Sequence, residues 1–284
     1  MDRRQVGVIK ELFRYPVKSM RGERINEVEV GVNGIVGDRV YALREANGRI
    51  MSAKNQAKML GFRAYYEESS VSGDQARLRI SFPDGRIIDA QAADTSAVLS
   101  EALGRTVVLE KGASRQHNRE EFDLDGATIF GDVPVETVVS GLTAETMPTS
   151  RAMLPGLFFD QFNITLLASG TLSHMHNLVG EDAKLDARRF RPNILVETDP
   201  GSEGFVEDDW LNGNLEIGVV VKLEQVKRNL RCVMTTHAQA DLERDLRIIR
   251  AAAQHHQNYV GVGAVVSVPG KVRVGDPIML VSAD

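Results

Sequence analysis

The chain predicts a β-rich α+β fold built on a barrel, and three observations lead there. Short apolar stretches, several with period-two alternation, recur from residue 5 to residue 281, punctuated by Gly, Pro, Asn and Asp. Helical spacing of apolar residues is confined to three short segments. No internal repeat, low-complexity tract, GxGxxG or Walker loop breaks the pattern. A long run of strands with few helices is expected to curl into a barrel.

Taken in order, residues 5–15 read as a strand that ends at Arg14-Tyr15-Pro16. Pro16 fixes its own φ and holds Tyr15 extended, so Val17-Lys18-Ser19 opens a loop. Ile25 to Val30 alternates apolar and acidic residues, and Gly31–Gly34 supplies a turn. Gly37-Asp38-Arg39 leads into a strand through Leu43, and Asn47-Gly48 signals a hairpin to Arg49–Ala53. Residues 62–90 continue as antiparallel strands with a tight turn at Pro83-Asp84-Gly85. Asp94-Thr95 is placed to cap a short helix that Gly104 stops. Segment 112–156 has little periodicity and reads as a long crossing between two halves.

The second half opens with a strand, Asn163–Ala168, and a helix carrying Leu172, Met175, Leu178 and Val179 on one face. His174 and His176 stand on different faces of that helix and read as solvated. A strand follows at Ile194–Glu197. If the approach to it is extended, Arg189, Arg191 and Asn193 share one surface, which an anion would relieve. Leu215–Arg228 reads as one alternating strand, and Glu243–Gln254 as an amphipathic helix with Leu242, Leu246 and Ile249 inward. His255 and His256 suit its C-terminal end. Val260–Val268, a turn at Pro269-Gly270, and a last strand to Val281 close the chain.

Composition narrows the function classes. A chain of 284 residues buries a substantial core, as one large or two closely packed domains. Hydrophobic content of 43% and charged content of 26% are ordinary for a globular protein. A net charge of -5 gives no reason to expect nucleic acid or an anionic membrane as a partner. No apolar run is long enough for a signal or membrane helix, and a cytoplasmic location is expected. A single cysteine excludes an internal disulfide framework and a four-cysteine zinc or iron–sulfur site.

That cysteine, Cys232, lies in Asn229-Leu230-Arg231-Cys232-Val233-Met234-Thr235-Thr236. A thiolate is a soft metal ligand and a nucleophile, and the adjacent Arg231 favours the charged form. A buried, inert cysteine is the alternative, and spacing alone leaves both open. Other unusual polar sites stand at strand ends or turns: Lys18 with Ser19, Arg39, Ser52 with Lys54, and Arg191 with Asn193. Cations with a soft ligand suit a large anionic cofactor bound through its metal.

Five motifs in one order carry a family resemblance: Tyr15-Pro16-Val17-Lys18-Ser19, Gly37-Asp38-Arg39, Phe190-Arg191-Pro192-Asn193-Ile194, Arg231–Thr236, and Val274-Gly275-Asp276-Pro277. The chain resembles the MOSC proteins, named for the C-terminal domain of molybdenum cofactor sulfurase, together with their N-terminal β-barrel domain. The architecture is similar to that of the mitochondrial amidoxime-reducing component and its bacterial relatives. The resemblance implies an N-terminal MOSC-associated β-barrel domain over residues 1–125 and a MOSC domain over 126–284. It also implies a molybdenum cofactor (Mo-molybdopterin) whose metal is held by Cys232 and whose anchors are Lys18, Ser19, Arg39, Ser52, Lys54, Arg191, Asn193 and Arg231. Lys54 stands where the family has Arg, and it lacks the bidentate grip of a guanidinium. Asp160 resembles a family carboxylate near the metal and is a candidate proton donor. The chemistry implied is reduction of small N-hydroxylated compounds, with electrons from a separate heme, flavin or iron–sulfur protein. Two departures leave the substrate open: Thr236 is followed by His237-Ala238-Gln239-Ala240-Asp241 rather than the usual Asp-Pro-x-Thr-Gly segment, and Gly261-Val262-Gly263 lacks an aromatic. Those departures keep a rival in view, in which Cys232 carries a persulfide or holds the cofactor without turnover. The sulfurase's pyridoxal-phosphate domain is not expected.

Overall fold

The computed structural model describes residues 2–67, 76–112, 157–159 and 161–282. Strand β1 (Arg3–Arg14) is the longest, and its apolar Val6, Ile9 and Leu12 are buried. β2 (Glu23–Ile25) pairs antiparallel with its end. β3 (Glu27–Gly31) and β4 (Gly34–Ile35) form a hairpin around the expected turn. β5 (Tyr41–Glu45) pairs with β9 (Val107–Lys111), and β6 (Arg63–Tyr66), β7 (Leu78–Ser81) and β8 (Ile87–Asp89) make a three-stranded meander. Helix α1 (Thr95–Leu103) ends at Gly104, whose φ of 68° closes the last turn as a left-handed residue does. Asp94 precedes α1 without a side-chain cap bond.

The second half supplies β10 (Ile164–Ala168), α2 (Ser169–Val179), β11 (Ile194–Glu197), β12 (Gly213–Ile217) and β13 (Val221–Leu230). Helix α3 (Arg247–His256), β14 (Tyr259–Val268), β15 (Gly270–Arg273) and β16 (Pro277–Ser282) follow. Seven of the strands close on themselves in the order β11, β10, β14, β13, β12, β16, β1 and back to β11. The barrel is antiparallel except for β10 beside β11, a parallel pair that needs a crossover, and α2 is that crossover. β15 instead pairs with β3. The fold is thus the expected β-rich α+β type with a closed barrel.

Closure depends on the N-terminal strand. β1 registers Leu12 against Ile194 of β11 and Val8 against Pro277 of β16, so one segment joins both edges. The barrel interior is filled by Ile9, Leu12, Ile164, Leu166, Ile194, Leu215, Leu223 and Ile278, with Trp210 in the same core. Burying one such aliphatic side chain contributes roughly 1.5–3 kcal/mol. A second core holds Val17, Met20, Tyr41, Met51, Met59, Phe62, Ile80 and Leu99. Met234 joins that core from the second half, and Cys232 packs against it.

Four elements differ from expectation: the last strand to Val281 is two, β15 and β16, and the expected strand Arg49–Ala53 is reduced to an isolated bridge between Arg44 and Ile50. Leu215–Arg228 is not one strand: the chain reverses at Gly218, φ 60°, so β12 and β13 form a hairpin. The last helix starts at Arg247 rather than Glu243, because Gln239 and Leu242 bond each other's backbone and Asp245 N donates to Thr236 O. Of the crossing expected over 112–156, residues 113–156 lie outside the described residues.

Candidate functional site

The site grows from the end of β13. Arg231 N donates to Asn258 O at 2.9 Å, and Asn258 Nδ2 donates to Arg231 O at 2.6 Å. This clamp turns the chain into an extended Cys232, followed by a 3-10 turn over Val233–Thr236. Thr235 donates to Cys232 O from its N and its Oγ1, at 3.2 and 3.1 Å. Cys232 itself is half-buried.

Arg189 braces that turn from behind. Its guanidinium donates to the carbonyls of Thr235, His237 and Glu243 at 3.4, 3.3 and 2.7 Å. Arg189, Arg191 and Asn193 therefore do not share a surface. Ala187–Arg189 is a 3-10 turn and Arg191 is left-handed, so the two-residue alternation fails and the three side chains reach different partners.

Arg231 is buried, with Nε on Val260 O at 2.6 Å and Nη1 on Phe190 O at 2.8 Å. The amide of Asn229 is best oriented with its oxygen toward Arg231 Nη1 and Nη2, both 3.2 Å away, and its nitrogen toward Gln161. Burial pushes the Arg231 pKa down to about 10, against the opposing fields of Cys232 and Glu207. At neutral pH it remains a cation beside the thiol. Gly261 makes room: at φ 73°, a Cβ there would stand 2.6 Å from Leu166 O and 3.0 Å from Arg231 Nη2.

Two of the remaining cations gather around Tyr15. Arg39 and Arg191 place their guanidinium carbons 4.6 and 4.2 Å from its ring centroid. Arg39 Nη2 donates to Arg191 O at 3.4 Å, and Arg191 Nη1 to Met20 O at 2.7 Å. Lys18 is buried and donates from Nζ to Phe158 O at 3.3 Å. Ser19, Arg39 and Arg191 have φ values of 65°, 48° and 51°. Non-glycine residues in that region cost on the order of 1–3 kcal/mol each, and such strain gathers where function holds it.

Asp38, fully buried, ties these pieces together. Its Oδ1 accepts from Tyr15 N at 2.6 Å, and its Oδ2 accepts from Asn193 Nδ2 at 2.9 Å and from Arg39. Asn193 is also fully buried, and its Oδ1 accepts from Thr165 N and Oγ1 at 3.1 and 3.2 Å. It positions the loop rather than presenting a free amide. Ser52 and Lys54 are buried in a turn where Lys54 N donates to Ser52 Oγ at 3.3 Å, and the intervening Ala53 packs in the core that Cys232 touches. Asp160 lies outside the described residues.

The sequence also missed contributors. Asp38 stood inside a quoted motif, and its acid flanked by Gly and Arg was the available signal. Glu207 had none. It is buried at the end of β10, accepting from Ala168 N and Thr171 Oγ1, and burial raises its pKa. His256 does more than meet a helix end: its Nε2 lies 2.8 Å from Asp208 Oδ2, and its ring stacks on Phe205 at 3.8 Å.

Chemically, the site offers one soft thiol beside Arg231, with Lys18, Arg39 and Arg191 on loops held in strained backbone. This donor set fits a large anionic group that brings its own metal. Among the described residues, no group of three or more His, Cys, Asp and Glu stands together to hold a metal ion by protein ligands alone.

Comparison with known proteins finds two family models that match this chain. The family model "MOSC N-terminal beta barrel domain" matches residues 6–117, and "MOSC domain" matches residues 155–279. Mitochondrial amidoxime-reducing component 1 of Homo sapiens is 22% identical, covering 97% of this chain and 83% of that protein. Mitochondrial amidoxime reducing component 2 of Macaca fascicularis is 24% identical, covering 82% of this chain and 67% of that protein. Molybdenum cofactor sulfurase of Oryza sativa subsp. japonica is 23% identical over 71% of this chain, which corresponds to 25% of that larger protein.

Proposed function

Because the chain belongs to the MOSC-domain family, we propose that it is a molybdenum-cofactor-dependent reductase of small N-hydroxylated compounds, with Cys232 as the protein's ligand to the metal. The observation that carries this reading is the half-buried Cys232 thiol held beside the buried Arg231 cation, within a loop system that also holds Lys18, Arg39 and Arg191. Names of relatives that reduce amidoximes support it.

The bound cofactor would supply two-electron reduction of the N–O bond. Cleaving that bond to an amine or amidine and water consumes two electrons and two protons. Cys232 would hold the metal, with the buried Arg231 cation next to it in the chain. Lys18, Ser19, Arg39 and Arg191 would hold the anionic pterin part by charge-assisted bonds. Asp38 and Asn193 fix the loops that carry these groups, and Arg189 fixes the turn that carries Cys232. Electrons would come from a separate redox protein.

The test is reduction of benzamidoxime by cofactor-loaded protein with a strong artificial donor. Turnover by the wild type and none by Cys232→Ala is expected; equal turnover by both would remove Cys232 from the reaction. The rice sulfurase relative favours one second reading, a Cys232 persulfide that carries sulfur. A mass increase of one sulfur on Cys232 in freshly isolated, molybdenum-free protein would support it instead.

A further inference from the structure

A chain of polar contacts starts on β13 and returns to the residues that clamp its end. Arg228 grips Asp208 of the 3-10 turn Val206–Trp210, donating from Nε to Oδ1 at 2.9 Å and from Nη2 to Oδ2 at 2.7 Å. The same Oδ2 lies 2.8 Å from His256 Nε2, and His256 Nδ1 lies 2.8 Å from Tyr259 O. Both ring nitrogens thus face acceptors, and a proton on each completes both bonds. Burial would raise the Asp208 pKa, but the bonds from Arg228 and His256 hold it below the ordinary carboxylate value. Phe205 stacks on the imidazole at 3.8 Å, and His174 of α2 meets Phe205 edge-on at 5.1 Å.

The imidazole closes a turn of its own chain. Between His256 and Tyr259, Gln257 and Asn258 have φ values of 50° and 65°, a backbone that non-glycine residues rarely adopt. Such a turn persists where its surroundings fix it. Asn258, fully buried, is the residue that clamps Arg231 by two backbone-directed bonds, at 2.6 and 2.9 Å. Tyr259 is the β14 partner of Leu230 at the last registered pair of β13 and β14. Helix α3, which ends at His256, also packs against the turn Val233–Thr236. The chain is therefore held on both sides of Cys232. With both nitrogens engaged, His256 offers none to a metal or a substrate, and its effect runs through the turn.

Resting on the reading of Cys232 as the metal ligand, we propose that His256 is a positioning residue for that thiol. Its Nδ1 contact with Tyr259 O fixes the Gln257-Asn258 turn, and that turn sets the direction in which Cys232 leaves β13. Asp208, gripped by Arg228, fixes the orientation of the ring.

Two substitutions separate the bonds of the ring. His256→Asn keeps an N–H near the place of Nδ1 for Tyr259 O and gives up Asp208; His256→Gln keeps one near the place of Nε2 for Asp208 and gives up Tyr259 O. Amide hydrogen exchange of the full chain without cofactor reads the clamp at the Arg231 N–H. That amide is expected to exchange about fivefold faster in His256→Gln and within about twofold of wild type in His256→Asn, while amides of β12 and β16 keep their wild-type rates. An Arg231 amide indifferent to His256→Gln, quickened equally by both substitutions, or quickened no more than the β12 and β16 amides, overturns the positioning role. In a host that makes the cofactor, molybdenum per chain is expected to fall in His256→Gln and to recover in His256→Asn. Equal molybdenum in all three proteins overturns the consequence for the metal. If the wild type itself holds no molybdenum, the ligand reading of Cys232 fails, while exchange at Arg231 still decides whether His256 sets the turn.

Discussion

Asn193 donates from Nδ2 to Asp38 Oδ2 at 2.9 Å, joining two buried residues 155 positions apart in sequence. This bond sets the loop of Arg39 against the loop of Arg191, and with them two of the cations placed around Tyr15. Asp38→Asn keeps the shape but turns an amide N–H toward two donors, Asn193 Nδ2 and the Arg39 guanidinium. Breaking one side of a buried pair costs about 3 kcal/mol. The urea midpoint of the apo-protein should fall accordingly, and a loss below about 1 kcal/mol would show that the bond does not hold the two loops.

Arg189 is predicted to control access to the thiol. Its bonds to the carbonyls of Thr235, His237 and Glu243 hold the turn shut, and a hydrogen bond from a charged donor contributes roughly 1.5–3 kcal/mol. Arg189→Ala should therefore raise the population of the opened turn by about tenfold or more. Reaction of Cys232 with a thiol reagent in the apo-protein should quicken to match; an unchanged rate would show that the turn stands without Arg189.

Glu207 gives a pH signature. Burial raises its folded-state pKa above the unfolded value, so its protonated form favours the folded state. The stability it lends is present below the unfolded pKa and is lost as pH rises through the raised value. Glu207→Gln can keep a carbonyl for Ala168 N and an amide for Thr171 Oγ1. Urea midpoints should therefore show the Gln variant gaining on the wild type as pH climbs from about 4 to about 8. A constant difference across that range would contradict the buried carboxyl's raised pKa.

The electron source yields another expectation. The sequence contains no GxGxxG fingerprint, and Cys232 is its one thiol. Loaded protein should reduce benzamidoxime with an artificial donor and not with NADH or NADPH alone. Nicotinamide-dependent turnover should appear when a heme, flavin or iron–sulfur protein is added, and it should fall as salt rises. NADH-driven turnover by the pure single chain would overturn this.

The legible parts of the chain were the local ones. Alternation marked β3, the turn residues marked its hairpin with β4, and Gly104 marked the end of α1. The lone cysteine with its Arg231 neighbour marked the thiol turn. Non-local bonds were not legible: nothing near Asp38 announces Asn193, and nothing near Arg189 announces the turn it braces. The β12–β13 hairpin hid inside an apolar run because Val219 and Val220 sit at the reversal, with Val219 fully exposed. Apolar residues at a turn imitate a continuing strand, and there only the positive φ of Gly218 marks the break.

The central claim is that Cys232 ties a molybdenum cofactor to this chain, and elemental analysis tests it most directly. Wild type and Cys232→Ala should be produced side by side in a host that makes the cofactor, and molybdenum should be measured per polypeptide alongside the fluorescence of the oxidised pterin. The account predicts molybdenum and pterin approaching one per chain in the wild type, with the metal lost from Cys232→Ala while its apo-form melting temperature stays close to that of the wild type. Equal molybdenum in both proteins, or none in either, would contradict it.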